Sequence, residues 1–240
     1  MRDGRTLYLG GLLLVCVLLF VASACSAGQQ NSSTTNAPTS SLSGRASSQL
    51  GILAAGSVLT WIALAGEDGH VASERFEAGS VEGLTDFGNV YGSGEGAFSL
   101  AAGLGVMGRL GNRPALTNAS MDLGTSLLAT SAAALAIKVS VRRTRPNGGP
   151  YSFPSGHTAV AFTTATVLEE HFGWRIGIPA YAAAGLTGIA RMEDRKHFLS
   201  DVVAGATIGI VVGRAVPSRL GGSRCSLVAE GTRVGFRLRL

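Results

Sequence analysis

Only two lysines, Lys138 and Lys196, occur in the 240 residues, so arginine carries nearly all of the cationic charge behind the formal balance of +5. Basic residues do not interleave with aromatics and no reading helix stands out, which argues against a nucleic-acid partner. Aromatics amount to only 6%, leaving Ala, Leu, Val and Ile to build the core. Acidic residues bunch in the Gly-rich stretch Glu67–Glu95 without the D-x-D-x-D spacing of a calcium loop, so they read as a solvated face. His70 in that stretch has no partner at ligand spacing and reads as a solvated loop histidine. Cysteine is scarce too: of Cys16, Cys25 and Cys225, the first lies in the export segment, and a Cys25–Cys225 bridge is open only where Cys25 is not lipidated.

Long uncharged apolar runs are also few. A helix that crosses a bilayer needs about 20 apolar residues. Beyond the N-terminal segment, the uncharged, predominantly apolar run that reaches this length is Ala46–Gly66, while Ala97–Met107, Leu123–Ile137, Ile176–Ala190 and Val202–Gly213 are shorter. They predict an all-α bundle of about six helices lying outside the bilayer. Gly111–Leu116 and His171–Gly173 read as turns between helices, with His171 set against a helix C-terminus. Frequent Gly and Ala at near-helical spacing suggest close helix contacts. The tail after Cys225 alternates apolar and basic residues around Glu230-Gly231, as a β-hairpin does.

The chain starts with an export segment. MRDGR is a charged n-region, and LYLGGLLLVCVLLFVASA is an apolar run ending in small residues just before Cys25. Ala22-Ser23-Ala24 suits simple signal cleavage, whereas a Cys after small residues suits a lipoprotein box, with Ala22 where that box prefers Leu. The polar stretch AGQQNSSTTNAPTSSLSG favours lipidation at Cys25, because it makes a tether between an anchor and a folded domain. The domain organisation is therefore signal peptide 1–24, tether 25–48, helical domain 49–221 and tail 222–240. On either reading the protein is exported to the cell envelope.

Chemistry concentrates between Lys138 and Asp201. Lys138 and Arg145-Pro146 form K-x6-R-P, Pro154-Ser155-Gly156-His157 forms PSGH, and Arg191, His197 and Asp201 form R-x5-H-x3-D. A phosphate oxyanion needs several charge-assisted donors, which Lys138, Arg145 and Arg191 can supply. Ser155 precedes the helical run TAVAFTTATVL and reads as its N-cap, so that backbone N–H groups face an anion that Gly156 lets approach. On a helix, His197 and Asp201 share a face. The carboxylate can then hold one ring nitrogen protonated and leave the other free to attack, with His157 available as general acid.

These three motifs, in this order, resemble those of the type-2 phosphatidic acid phosphatase superfamily, which includes bacterial acid phosphatases and vanadium-dependent haloperoxidases. The resemblance covers Gly96 to Pro217. It implies a helical bundle with the phosphate site at helix ends, His197 as the nucleophile of a phosphohistidine, Asp201 orienting it and His157 protonating the leaving group. Lys138, Arg145, Ser155, Gly156 and Arg191 would hold the phosphoryl oxygens. Ala190 departs from the pattern, since the family usually places Ser before the third-motif Arg, and one hydroxyl donor is lost. Arg142, Arg143 and Arg195 fall outside the motif and read as surface charges that steer an anion. The implied activity is metal-independent, cofactor-free removal of phosphate from a lipid or lipid-linked ester or diphosphate at a membrane surface. Two alternatives stay open: a haloperoxidase holding vanadate at His197, and a non-catalytic anion-binding lipoprotein.

Overall fold

The computed structural model describes residues 51–60, 62, 82–216, 224–230 and 233–239. Within them, seven helices precede a two-stranded hairpin. The helices are α1 (Gly51–Thr60), α2 (Glu82–Tyr91), α3 (Gly94–Leu110), α4 (Pro114–Val141), α5 (Gly156–Phe172), α6 (Trp174–Glu193) and α7 (Leu199–Ala215). Strands β1 (Arg224–Glu230) and β2 (Arg233–Arg239) pair antiparallel with Glu230 opposite Arg233, in line with the hairpin expected of the alternating tail. The export segment, Cys25, the tether and His70 lie outside the described residues.

Local chemistry sets the helix ends. Ser93 caps α3 by accepting the Gly96 N–H at 2.9 Å, and Pro114 occupies the first turn of α4, where its missing N–H costs nothing. Gly173 is the single residue between α5 and α6. Its φ of +79° lies in the left-handed region, which glycine enters without a Cβ penalty.

α5 is the hub. Thr158 to Ala161 and Thr163 to Val167 are all buried, so this helix is covered nearly all round, with α4, α6 and α7 packed on it. Small residues let α7 come close: a Cβ at Gly205 would lie 2.5 Å from the Ser155 carbonyl oxygen, and one at Gly209 2.5 Å from that of Ala159. The Gly and Ala content therefore serves packing. Buried threonines satisfy their hydroxyls locally, as when Thr163 Oγ1 reaches the Ala159 carbonyl at 2.8 Å and pairs with Thr130 at 2.8 Å. A separate apolar cluster of Leu53, Ile137, Phe153, Ile208 and Val211 ties α1 and α4 to α7.

One helix outruns its uncharged stretch. The run Leu123–Ile137 lies inside the 28-residue α4, which among the described residues is the one helix long and apolar enough to cross a membrane, with a third of its apolar window buried. Uncharged runs undercount such a helix because its flanking charges are answered inside the protein. Asp122 meets His171 at 2.9 Å, and Lys138 Nζ donates to the Tyr151 carbonyl at 3.0 Å. His171 thus pairs across helices as well as sitting at a helix C-terminus.

Candidate active site

All three motifs meet at one end of the bundle, where the loops after α4 and after α6 are stitched together. Asn147 N–H donates to the Arg195 carbonyl at 3.0 Å, and Ser155 N–H donates to that of Asp201 at 2.9 Å. Within the first loop, Arg145 N–H reaches the Gly149 carbonyl at 2.7 Å and Gly148 N–H returns to that of Arg145 at 3.0 Å. Backbone bonds alone therefore fix the motif residues relative to one another.

His197 is not on a helix, contrary to the shared-face expectation. α7 begins at Leu199 with Phe198 as its N-cap, and Asp201 is the third residue of the first turn. The carboxylate of Asp201 folds back to accept the Phe198 N–H at 2.9 Å and stands 3.4 Å from His197 Nδ1. The carboxylate reaching back to the N-cap N–H, rather than a helical face, brings the pair together, and Phe198 has no side-chain acceptor to return the bond. Ser152 donates its hydroxyl to Asp201 Oδ2, and Arg143 Nη1 lies 2.9 Å from Oδ1. Burial by itself would raise the Asp201 pKa, but the bonds from His197, Ser152 and Phe198 and the charge of Arg143 outweigh it and hold the carboxyl below its ordinary range. Burial lowers the His197 pKa, opposed by Asp201, and the ring sits below its usual value. A neutral imidazole with Nδ1 toward a carboxylate leaves Nε2 as its basic nitrogen.

Around this pair stand the cations. Lys138, in the last turn of α4, donates to the Tyr151 and Ser152 carbonyls at 3.0 and 3.5 Å, and its Cε would lie 3.7 Å from a Cβ at Gly156. Arg145 is only partly exposed, and its buried Nε has no partner. Arg191, in the last turn of α6, is 5% exposed; its Nη2 donates to Asn89 and Asp194 while its buried Nε also lacks a partner. Ser155 caps α5 as expected: its Oγ accepts from Thr158 Oγ1 at 2.9 Å and from Thr158 N–H at 3.5 Å. Gly156 and His157 form the first turn of α5. Burial, then the charges of Arg191, His197, Lys196 and Lys138, lower the His157 pKa to about 4.

Other contributors fall outside the motif positions. Arg143 is no steering charge at the surface, because its guanidinium is spent on Asp201 and on Ser200 Oγ at 2.7 Å. Ser152 also serves Asp201. Asn89, from α2, and Asp194 hold Arg191, and Lys196 joins Asp194 at 3.2 Å. The doubled arginine in VRRTRP was the available signal for Arg143, while nothing in the sequence linked Asn89 to a residue 102 positions later. Among the described residues no three His, Cys, Asp or Glu side chains converge as a metal site. The donor set is cationic and suits an anion.

Comparison with known proteins agrees with this chemistry. The family model of the PAP2 superfamily matches residues 119–221. A lipid A 1-phosphatase of Porphyromonas gingivalis is 44% identical over 80 residues, covering 32% of this chain and 18% of that protein. A lipid A 4'-phosphatase of the same organism is 28% identical over 105 residues, covering 39% of this chain and 43% of that one. The chain thus spans less than half the length of these curated relatives. Among solved structures, a transmembrane PAP2 type phosphatidylglycerolphosphate phosphatase from Bacillus subtilis superposes with a TM-score of 0.52 at 19% identity, over 88% of this chain and 96% of that one, a likeness of fold. With its motifs gathered at one end of an all-helical domain and the family model covering residues 119–221, this part of the chain is identified with the PAP2 superfamily.

Proposed function

We propose that this chain is an exported phosphatase that removes phosphate from a lipid or lipid-linked ester or diphosphate through a phosphohistidine at His197, without a divalent metal. The observation that carries this reading is the His197–Asp201 pair, buried and held by the Phe198 N–H bond to the carboxylate, beside Lys138, Arg145, Arg191 and His157. The Nε2 lone pair of His197 attacks phosphorus, the bond to the leaving oxygen breaks, and His157 gives that oxygen its proton. Water then attacks phosphorus as His157 takes its proton, the P–Nε2 bond breaks with its electron pair returning to His197, and phosphate departs. Lys138, Arg145, Arg191 and the first-turn N–H groups of α5, capped by Ser155 and opened by Gly156, carry the charge on the transferring group. A lipid substrate is supported by the names of the relatives and by the outward apolar face of α4. Lipidation at Cys25 belongs to the same proposal and would hold the domain at the membrane of the cell envelope.

The test is phosphate release from an aryl phosphate and from a micellar lipid phosphate, in chelator, by the wild-type chain and His197→Ala. Release by the wild type, none by the variant, and acid-labile phosphate trapped on the protein are expected. Release that survives in His197→Ala, or that needs added metal, would overturn the reading. Bromide oxidation after vanadate loading in place of phosphate release would move it to the haloperoxidase class.

A further inference from the structure

One cation at the site has no phosphate-binding part to play. Arg143 precedes Arg145 by two residues, yet its guanidinium faces the carboxylate rather than the open cluster. Nη1 stands 2.9 Å from Asp201 Oδ1 and 2.7 Å from Ser200 Oγ, and Cζ lies 4.0 Å over the centre of the Phe198 ring. The side chain is only 11% exposed. Its backbone helps as well, because the Arg143 carbonyl accepts the Ser152 N–H at 2.7 Å and Ser152 in turn donates to Asp201 Oδ2.

We infer that Arg143 is a positioning residue for the nucleophile: by engaging Oδ1 of Asp201 and stacking on Phe198, it fixes the carboxylate so that Oδ2 stays toward His197. This rests on His197 being the nucleophile. A steering charge needs an exposed, unoccupied guanidinium, and Arg143 has neither property. Phosphate binding is equally unsuited, since the fork already serves a carboxylate that is fully buried. The stacking on Phe198 places the arginine on the N-cap of α7, so a single side chain registers the helix start, its third residue and the preceding loop together.

The consequence for His197 has a definite sign. The charged or titratable groups around the pair are Lys138 from α4, Arg143 and Arg145 from the first loop, and His157 from α5. Arg191 and Lys196 sit at the end of α6 and in the loop after it, with the Arg191 carbonyl accepting the His197 N–H at 3.2 Å. Removing one cation from this set, the one bonded to Asp201, makes a protonated imidazole easier to hold. The His197 titration therefore moves to higher pH, and so does the acid limb of kcat/KM, because attack requires the neutral ring.

The test compares Arg143→Gln, Arg143→Lys and Arg142→Gln in the full chain, reading aryl phosphate kinetics against pH, thermal midpoint, and the His197 ring titration by NMR. Arg143→Gln is expected to lower kcat about ten- to a hundred-fold while KM stays within about three-fold, as for loss of an orienting partner that does not touch substrate. Its His197 titration and acid limb move up together. Arg143→Lys keeps the charge but not the fork, so it returns the titration toward wild type and recovers only part of kcat. Arg142→Gln, at the exposed C-cap of α4, changes neither. A raised KM at unchanged kcat would make Arg143 a substrate contact and overturn the inference. So would a fall in kcat accompanied by a lower thermal midpoint and an unmoved His197 titration. If phosphate release proves independent of His197, the functional reading fails by itself, while the ring titration still decides whether Arg143 governs His197.

Discussion

His157 is held neutral at pH 7, because burial and the cations around it bring its pKa to about 4. A general acid must nevertheless carry a proton when the leaving oxygen departs. An incoming phosphate dianion supplies negative charge against the cations that depress the ring, so binding raises the His157 pKa and draws a proton in. That proton arrives with the substrate as its monoanion, or from solvent as the dianion binds. On this basis kcat/KM should fall as pH rises through the second ionisation of the phosphate, about 6 for a phosphomonoester, and a flat profile from pH 5 to 8 would contradict it. Replacing His157 by Ala should cost a lipid or alkyl phosphate on the order of a hundred-fold or more, and an activated aryl phosphate far less. Equal losses on both substrates would remove His157 from the role of acid. The legibility of the site ends at this scale. Spacing was enough to single out His157, His197 and Asp201 as candidates, because the proposed chemistry calls for those residue types, and the fold brings them to one end of the bundle. Asn89 was not legible, since what makes it part of the site is a contact with Arg191 made only after α2 has docked against α6, whereas Asp194 reaches Arg191 locally, three residues on.

At the scale of elements, uncharged stretches located six of the helices but not their ends. The shared face expected of His197 and Asp201 needed a helix that includes His197, but α7 starts two residues later, with the Phe198 N–H bonded to the Asp201 carboxylate. The sequence F-L-S-D has no Ser or Thr at the N-cap to announce such a start. The glycine spacing on α7 was legible as close packing, though composition bias offered the same pattern, and only the approach of α5 decides between them. Substitution can measure that approach. A methyl at Gly209 would meet the Ala159 carbonyl oxygen at 2.5 Å and Phe162 Cβ at 2.8 Å, and neither is a flexible chain end. Gly209→Ala should therefore destabilise by about 1–3 kcal/mol through overpacking, after the helix-propensity gain of Ala over Gly is set against it. Gly103→Ala on α3, where nothing stands within 4 Å, should be neutral or stabilising by up to about 1 kcal/mol. Thermal or detergent-titrated unfolding of the two variants checks the contrast, and equal effects would mean that α7 does not press on α5 as closely as the structure has it.

For the whole molecule, the outward faces matter most. In α4, Met121, Leu128 and Leu135 recur at seven-residue spacing and are exposed, as are Val106, Met107 and Leu110 on the neighbouring α3 and Ile176 and Ile178 on α6. Leu110 is 85% exposed. An apolar surface of this extent on a chain with a helix long enough to cross a bilayer would associate with lipid without help from an anchor. The sequence had suggested that Cys25 does the tethering and that the bundle stands clear of the bilayer, and the two arrangements separate cleanly in the full chain carrying Cys25→Ser. Lipidation is abolished there, while the signal segment can still be cleaved after Ala24, which the mass of the mature protein verifies. We expect the cleaved variant to stay in the membrane fraction through high-salt and alkaline washes and to come off in detergent with its phosphatase activity intact. Recovery of an active, cleaved protein in the soluble envelope fraction would show instead that the lipid on Cys25 carries the attachment. The exposed leucines of α3 and α4 would then have to be covered by a protein surface.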